Sequence, residues 1–462
     1  MPPPTKQRKA NDGKQDSDHR VSLLYLNDDC LLSIFAYFDA YQLMNLERVC
    51  DRFQDLVQTS FKRIEILDFQ SMRKASLKEY ETFSASTILE IASNVGPYVR
   101  TLKINTTDFT CDGLIKPKIK ILGELLNICP HVEYLSFLGF YCFSSELHSF
   151  LSQTIRKLKS LEMDLYGDAY DDVLCECLLM ADQLEEISIK SVSSEVTGKF
   201  LKALRNLKKL SFGRIRSIRY TGNYENFENY QPSNFIEFCK NNRNLECLTI
   251  DHFKEFNDDC MNAIAKLTNL KQLHMKRVTY FNIMVRSRIL GSLVNLTHLS
   301  WSRFTYELLD ILSPYDRIEY LDLEDSDMDD NYFEILGKFT RLKVLKIHAT
   351  FYDNNLLTAL NLALVNTLEE LHVPENWISD NVLYDFIVTH PRLKYVDITQ
   401  NTLITTAFAK KVRDHFRERA QPLKIDAYGT GISVHFKKIL REQRTDYETK
   451  RMNHFRFHRG DY

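Results

Sequence analysis

No apolar run in these 462 residues reaches the roughly 18 positions that mark a membrane-spanning helix, so no contact with a membrane is expected. No apolar core follows the opening Met1-Pro-Pro-Pro-Thr-Lys-Gln-Arg-Lys, which argues against a secretory signal. There is no surplus of basic charge either. A net charge of −2, with 26% charged residues, lacks the one-sided positive footprint of a nucleic-acid binder. Ten cysteines lie between Cys30 and Cys260, and none forms a C-x-x-C pair. They read as reduced, buried thiols of an intracellular protein, cytoplasmic or nuclear. The sequons Asn105-Thr-Thr107 and Asn295-Leu-Thr297 then read as chance matches.

The usual catalytic signatures are missing as well. There is no GxGxxG, no Walker loop, no GxSxG and no HExxH. Cys175-Glu-Cys177 is too closely spaced for a zinc pair and has no second half. Asp325-Ser-Asp327-Met-Asp329 opens as a calcium loop does, then fails with Asp330 at the glycine position and Leu336 at the twelfth. The expectation is a non-catalytic chain with no cofactor and no metal.

What the chain does have is a recurring cassette, apolar-x-x-apolar-x-apolar, as in Leu368-Glu-Glu-Leu371-His-Val373. Twelve copies start at Val99, Val132, Leu158, Leu184, Leu207, Leu245, Leu270, Leu296, Ile318, Leu342, Leu368 and Leu393, mostly 22 to 26 residues apart. The alternation at the end of each copy is that of a strand with one buried face. Acid and Asn clusters follow, at Asp171-Asp172, Asp258-Asp259, Asp329-Asp330, Asp353-Asn354 and Ser379-Asp380. They supply capping oxygens and negative charge to helix starts. Each unit is therefore strand, loop, helix. Period and pattern resemble the leucine-rich repeat. Strands stack at about 4.8 Å and helices need about 10 Å, so an α/β solenoid should curve into a horseshoe with parallel strands inside and helices outside.

Residues 1–20 are polar and should form a disordered tail, with Lys6, Arg8 and Lys9 as part of a solvated surface. Residues 22–60 carry three helical stripes. They are Leu31, Ile34, Phe35 and Phe38; Leu43, Leu46 and Val49; and Phe53, Leu56 and Val57. So small a helical unit makes a marginal core. The solenoid then covers 61–435, with Phe61-Lys-Arg-Ile64-Glu-Ile66 as a degenerate first strand and Pro422-Leu423-Lys-Ile425-Asp as a last edge strand. No flexible linker separates it from the helices. Residues 436–462 form a tail or cap. The interval from Leu207 to Leu245 carries an insertion at 213–233, rich in Tyr, Arg and Asn, that suits a surface loop.

The stretch from Leu26 to Leu56 resembles the F-box. Leu26, Asp29, Leu31, Ile34, Phe35, Leu43, Val49 and Cys50 match in order, while Asn27, Gln42 and Phe53 replace the family's Pro, Asp and Trp. The resemblance implies docking on a Skp-type adaptor, and through it on a cullin, by Leu26, Asn27, Leu31, Ile34, Phe35, Leu43, Val49, Cys50 and Phe53. It implies the target-receptor subunit of an SCF-type ubiquitin ligase. The alternative is a stand-alone repeat scaffold whose N-terminal helices only cap the first repeat. Exposure of Leu31, Phe35, Val49 and Phe53 separates the two.

Residues between the paired apolar positions should point into the concavity. One such column runs from Lys103 to Asp397, and the column before it from Thr101 to Tyr395. Their mixed charge favours a protein target. Candidate target contacts are Tyr134, Glu162, Tyr220, Tyr224, His274, His298, Tyr320, Asp322, Lys346, His372 and Tyr395. His274, His298, His348 and His372 read as ordinary surface histidines, with pH-sensitive binding as the alternative.

Overall fold

The computed structural model describes residues 23–432, except 79–80, 111–114, 141–144, 166–170, 193–195, 214–229, 252–255, 277, 279–281, 324–325, 327–331, 333–334, 349–353, 361–363 and 417–422. A 14-stranded parallel sheet runs through them, and its spatial order is the order of the chain. Leu67, Leu102, Leu135, Leu161, Ile187, Leu210 and Leu248 pair in register along one line. The line continues through Leu273, Leu299, Leu321, Leu345, Leu371, Val396 and Ile425. Each of the twelve cassettes supplies a strand in the expected register, and Lys424–Asp426 is the last edge strand.

The alternation explains why these segments are strands. In Glu370–His372, Leu371 is fully buried while Glu370 and His372 stay partly exposed. Behind it, the helix Asp380–Thr389 buries Leu383, Phe386 and Ile387. Each large apolar side chain so covered contributes roughly 2 kcal/mol. The chain leaves many strands through a left-handed residue four positions past the paired apolar one: Gly139, Arg303, Glu375, Gln400 and Gly429, with φ between 54° and 77°. Glycine takes that conformation without strain; the other three meet a steric penalty there.

Two local expectations are corrected. Ile66 does not face the core of a first strand, and Ile64 packs against the core only in part. The helix before them runs to the buried Phe61, and the strand Ile66–Asp68 turns Leu67 inward, leaving Ile66 exposed. Helix caps also differ. Asn257, rather than the Asp258-Asp259 pair, accepts the Cys260 amide proton at 3.0 Å. Asp380 takes the Thr405 amide of the next unit at 2.7 Å, so it ties two repeats together.

At the N-terminus, α1 (Asp28–Phe35), α2 (Ala40–Glu47) and α3 (Asp51–Phe61) pack into a small bundle. Leu31, Phe35, Leu43, Phe53, Val57 and Phe61 fill its interior, with the Phe35 and Phe53 rings edge to face at 5.2 Å. α2 lies on α4 (Phe69–Ser76) and α5 (Ala85–Val95) of the first repeat. Tyr41 meets Phe83 at 5.0 Å, and Arg48 reaches Glu90 at 3.2 Å. Bundle and solenoid share one continuous apolar core.

Candidate protein-interaction surfaces

The bundle completes its own interior and still leaves apolar groups outside. Tyr25 is 84% exposed, Tyr37 89% and Val49 60%, with Leu23 and Leu24 about half exposed. Of the nine adaptor residues expected from the sequence, Val49 and Asn27 are exposed, and Leu26, Ile34 and Cys50 are half-buried. Leu31, Phe35, Leu43 and Phe53 face inward. As placed they support a surface rather than form it, because three short helices need all four to make a core. Leu23, Leu24, Tyr25 and Tyr37 were not among the expected residues. They fall outside the helical stripes, and an exposed aromatic beside a finished stripe is the signal that would have found them.

Arg52 fastens the N-terminal edge of this surface. Its guanidinium donates to Asp28 Oδ1 at 2.7 and 2.9 Å and to the carbonyls of Leu24 and Leu26 at 2.8 and 2.6 Å. The turn carrying Leu23, Leu24 and Tyr25 is thereby held to α3.

On the concave face, the two expected columns line up across the strands. Tyr320 gathers the middle. His298 stacks on it at 5.6 Å, His274 meets it edge-on at 5.9 Å, and Lys346 lies 5.4 Å over its ring. Burial, with help from Lys276, pushes His274 down to about 4, and burial also lowers His298. Both imidazoles are therefore neutral at physiological pH, which moves any charge change on them into the acid range. Asp322 was expected on the surface, but it is fully covered. Lys276 Nζ sits 2.8 Å from Oδ2, and the Tyr320 hydroxyl donates to the same oxygen at 3.4 Å. Neighbouring long side chains close over a short one, which strand alternation alone does not show.

His372 and Tyr395 meet at 4.9 Å near the C-terminal end. Tyr395 donates to Asp426 at 2.5 Å. Burial works against the Asp397 charge, but His372 and Thr399 hold its carboxyl below the ordinary range. Tyr134 is exposed and Glu162 half-buried, the latter accepting from Ser136 at 2.7 Å. Tyr220, Tyr224 and the rest of 214–229 within the 213–233 insertion lie outside the described residues.

A third feature lies just before the strands. Arg100, Glu133, Lys159, Glu185, Lys208, Glu246, Lys271, Thr297, Glu319, Lys343, Glu369 and Lys394 occupy one stacked position. The charge alternates in sign from unit to unit, with Thr297 the single neutral place. Ion pairs of 2.5 to 2.8 Å link Glu133 with Arg100 and Lys159, Glu185 with Lys208, Glu246 with Lys271, Glu319 with Lys343, and Glu369 with Lys394.

Among the described residues no group of His, Cys, Asp and Glu is arranged to hold a metal, and no helix is long and apolar enough to cross a membrane. Burial pushes the Cys129 and Cys177 thiols up to about 12, so they stay protonated and unreactive at neutral pH.

Residues 23–65 match the family model of the F-box domain. No curated protein matches the chain by sequence. One similar solved structure is the crystal structure of the Rad7 and Elc1 complex in yeast. The match is 16% identical with a TM-score of 0.46, and it covers 82% of this chain and 90% of that one.

Proposed function

Starting from a chain that carries an F-box domain ahead of a leucine-rich-repeat solenoid, we propose that it is the target-receptor subunit of an SCF-type ubiquitin ligase. The bundle docks a Skp-type adaptor, and through it a cullin. The solenoid holds a target protein on its concave face or rim, with Tyr134, Glu162, His274, His298, Tyr320, Lys346, His372 and Tyr395 as candidate contacts. The catalytic groups belong to other subunits. Bringing a target lysine beside a charged ubiquitin carrier supplies the rate enhancement, since proximity alone is worth several powers of ten.

The observation that carries this reading is the exposed apolar surface of the bundle, around Tyr25, Tyr37 and Val49. Packing of Tyr41 on Phe83, and the burial of Leu31, Phe35 and Phe53 with only Val49 of the four exposed, favour a second reading, a scaffold whose helices serve only as a cap. Exposure of Tyr25, Tyr37 and Val49 on one small bundle suits docking better than a cap alone.

Adaptor affinity of the full chain decides between them. Val49→Asp with Tyr37→Ala is expected to weaken adaptor binding by roughly thirtyfold, the loss typical of a central interface residue, with an unchanged melting temperature. Equal affinity of variant and wild type would refute the receptor reading. Leu31→Ala is unsuitable for this purpose, because it empties the bundle's interior and acts through folding.

A further inference from the structure

At the C-terminal end of the solenoid, three large apolar side chains face solvent on neighbouring turns. Trp377 is 50% exposed, Leu403 51% and Tyr428 48%. The turns are hydrogen-bonded to one another. The Asn401 amide donates to the Val373 carbonyl at 2.8 Å, and the Gln400 amide to the Tyr428 carbonyl at 2.6 Å. Tryptophan and tyrosine are the residue types that most often anchor protein interfaces.

Carboxylates outnumber basic groups on the last three strands. Glu370, Asp397 and Asp426 lie on the last three strands, with Asp397 and Asp426 directly paired. Glu375 is exposed on the turn before Trp377. Against them stands Lys424, 3.6 Å from Asp426 and 4.9 Å over the Tyr395 ring. His372 is 3.7 Å from both Glu370 and Asp397. Asp426 Oδ1 is buried without a hydrogen-bond donor, while Oδ2 accepts from the Tyr395 hydroxyl. In the column before the strands Glu369 and Lys394 match as they do elsewhere, so the excess of carboxylates lies on the strands themselves.

We propose that the last three strands and their turns form a docking surface for a basic segment of the target with an apolar anchor. Trp377, Leu403 and Tyr428 receive the apolar side chain, while Glu370, Asp397 and Asp426 receive lysine or arginine. An acidic segment meets repulsion at the same place. This deepens the receptor reading and rests on it, because it names the chemistry of the bound target.

The test uses the full chain and two fluorescein-labelled peptides, one of repeating Arg-Lys-Leu and one of repeating Glu-Asp-Leu, with binding followed by anisotropy. The basic peptide is expected to bind and the acidic one to fail. Trp377→Ala with Tyr428→Ala, and separately Glu370→Gln with Asp426→Asn, are each expected to weaken the basic peptide about tenfold. Tyr98→Ala, an exposed tyrosine at the other end of the solenoid, is expected to leave it unchanged. Similar affinity for both peptides, or no loss in either double variant, would overturn the proposal. A self-association that Trp377→Ala abolishes would overturn it too, by making a second copy the occupant. If a double variant does not fold, the single change Trp377→Ala serves. Adaptor binding is measured on the same proteins. Its failure with peptide binding intact would count against the receptor reading, and the reverse against this surface.

Discussion

Asn27 caps α1, its side chain accepting the Cys30 amide proton at 2.8 Å. Gln42 closes a capping box with Asp39, at 2.9 and 3.1 Å. Phe53 fills the bundle against Phe35. The three departures from the F-box pattern thus each have a local structural role, and none leaves a hole. Asn and Gln at these places were readable as helix signals, since caps act within one turn. The inward aim of Phe53 was not, because a stripe of apolar residues looks alike whether it faces a core or a partner. His274 was likewise read as a surface group. Lys276, Asp322, His298 and Lys346 surround it, and burial governs its proton. Its ordinary value is near 6.5 and its folded value about 4. Between them the unfolded chain binds a proton that the folded chain refuses. Stability therefore falls as pH drops from about 6.5 toward about 4, then levels off for this group. Thermal melts at pH 7 and pH 5 should show a larger loss in wild type than in His274→Gln; equal losses would rule out His274 as the source.

At the scale of elements, strands were the most legible part of the sequence. Two apolar positions with one polar residue between them leave a parallel strand little choice of register, because a one-residue slip turns the buried face to water. Ile66 shows the limit. Where a helix runs close to the strand, the helix end decides which residue turns inward. The charged column is present letter by letter in the sequence but is not a column there. Its residues are some 25 positions apart in sequence, and only stacking at about 4.8 Å makes them neighbours. Because these groups are exposed, their attraction is screened by salt. Lys271→Glu sets like charge against Glu246, 2.8 Å from the present ammonium. Its melting temperature should fall below wild type at low ionic strength, and the gap should narrow as salt is added. A gap independent of salt would mean that the lysine acts through packing instead.

For the whole molecule, the continuous core from Leu31 to Ile432 matters most. α2 rests on α4 and α5, so the helical bundle and the concave face keep a set distance and angle. Repetition made this architecture legible from end to end, since each cassette announced the next. What repetition hides is difference, such as which stretch of an evenly polar face has spare charge or bare aromatic rings. Trp377, Tyr395 and Tyr428 sit in cassettes that look like the rest.

The alternating column also makes the solenoid sensitive to parity. Excising the one unit that carries Lys208 brings Glu185 against Glu246, whereas excising it together with the Glu246 unit seats Glu185 against Lys271. Deletions of an even number of charged units should melt closer to the parent than single ones, as calorimetry can record. The unit of Thr297 is the exception, for its removal joins Lys271 to Glu319. A ladder of this kind tolerates being shortened two charged rungs at a time, or by one rung at its single uncharged step.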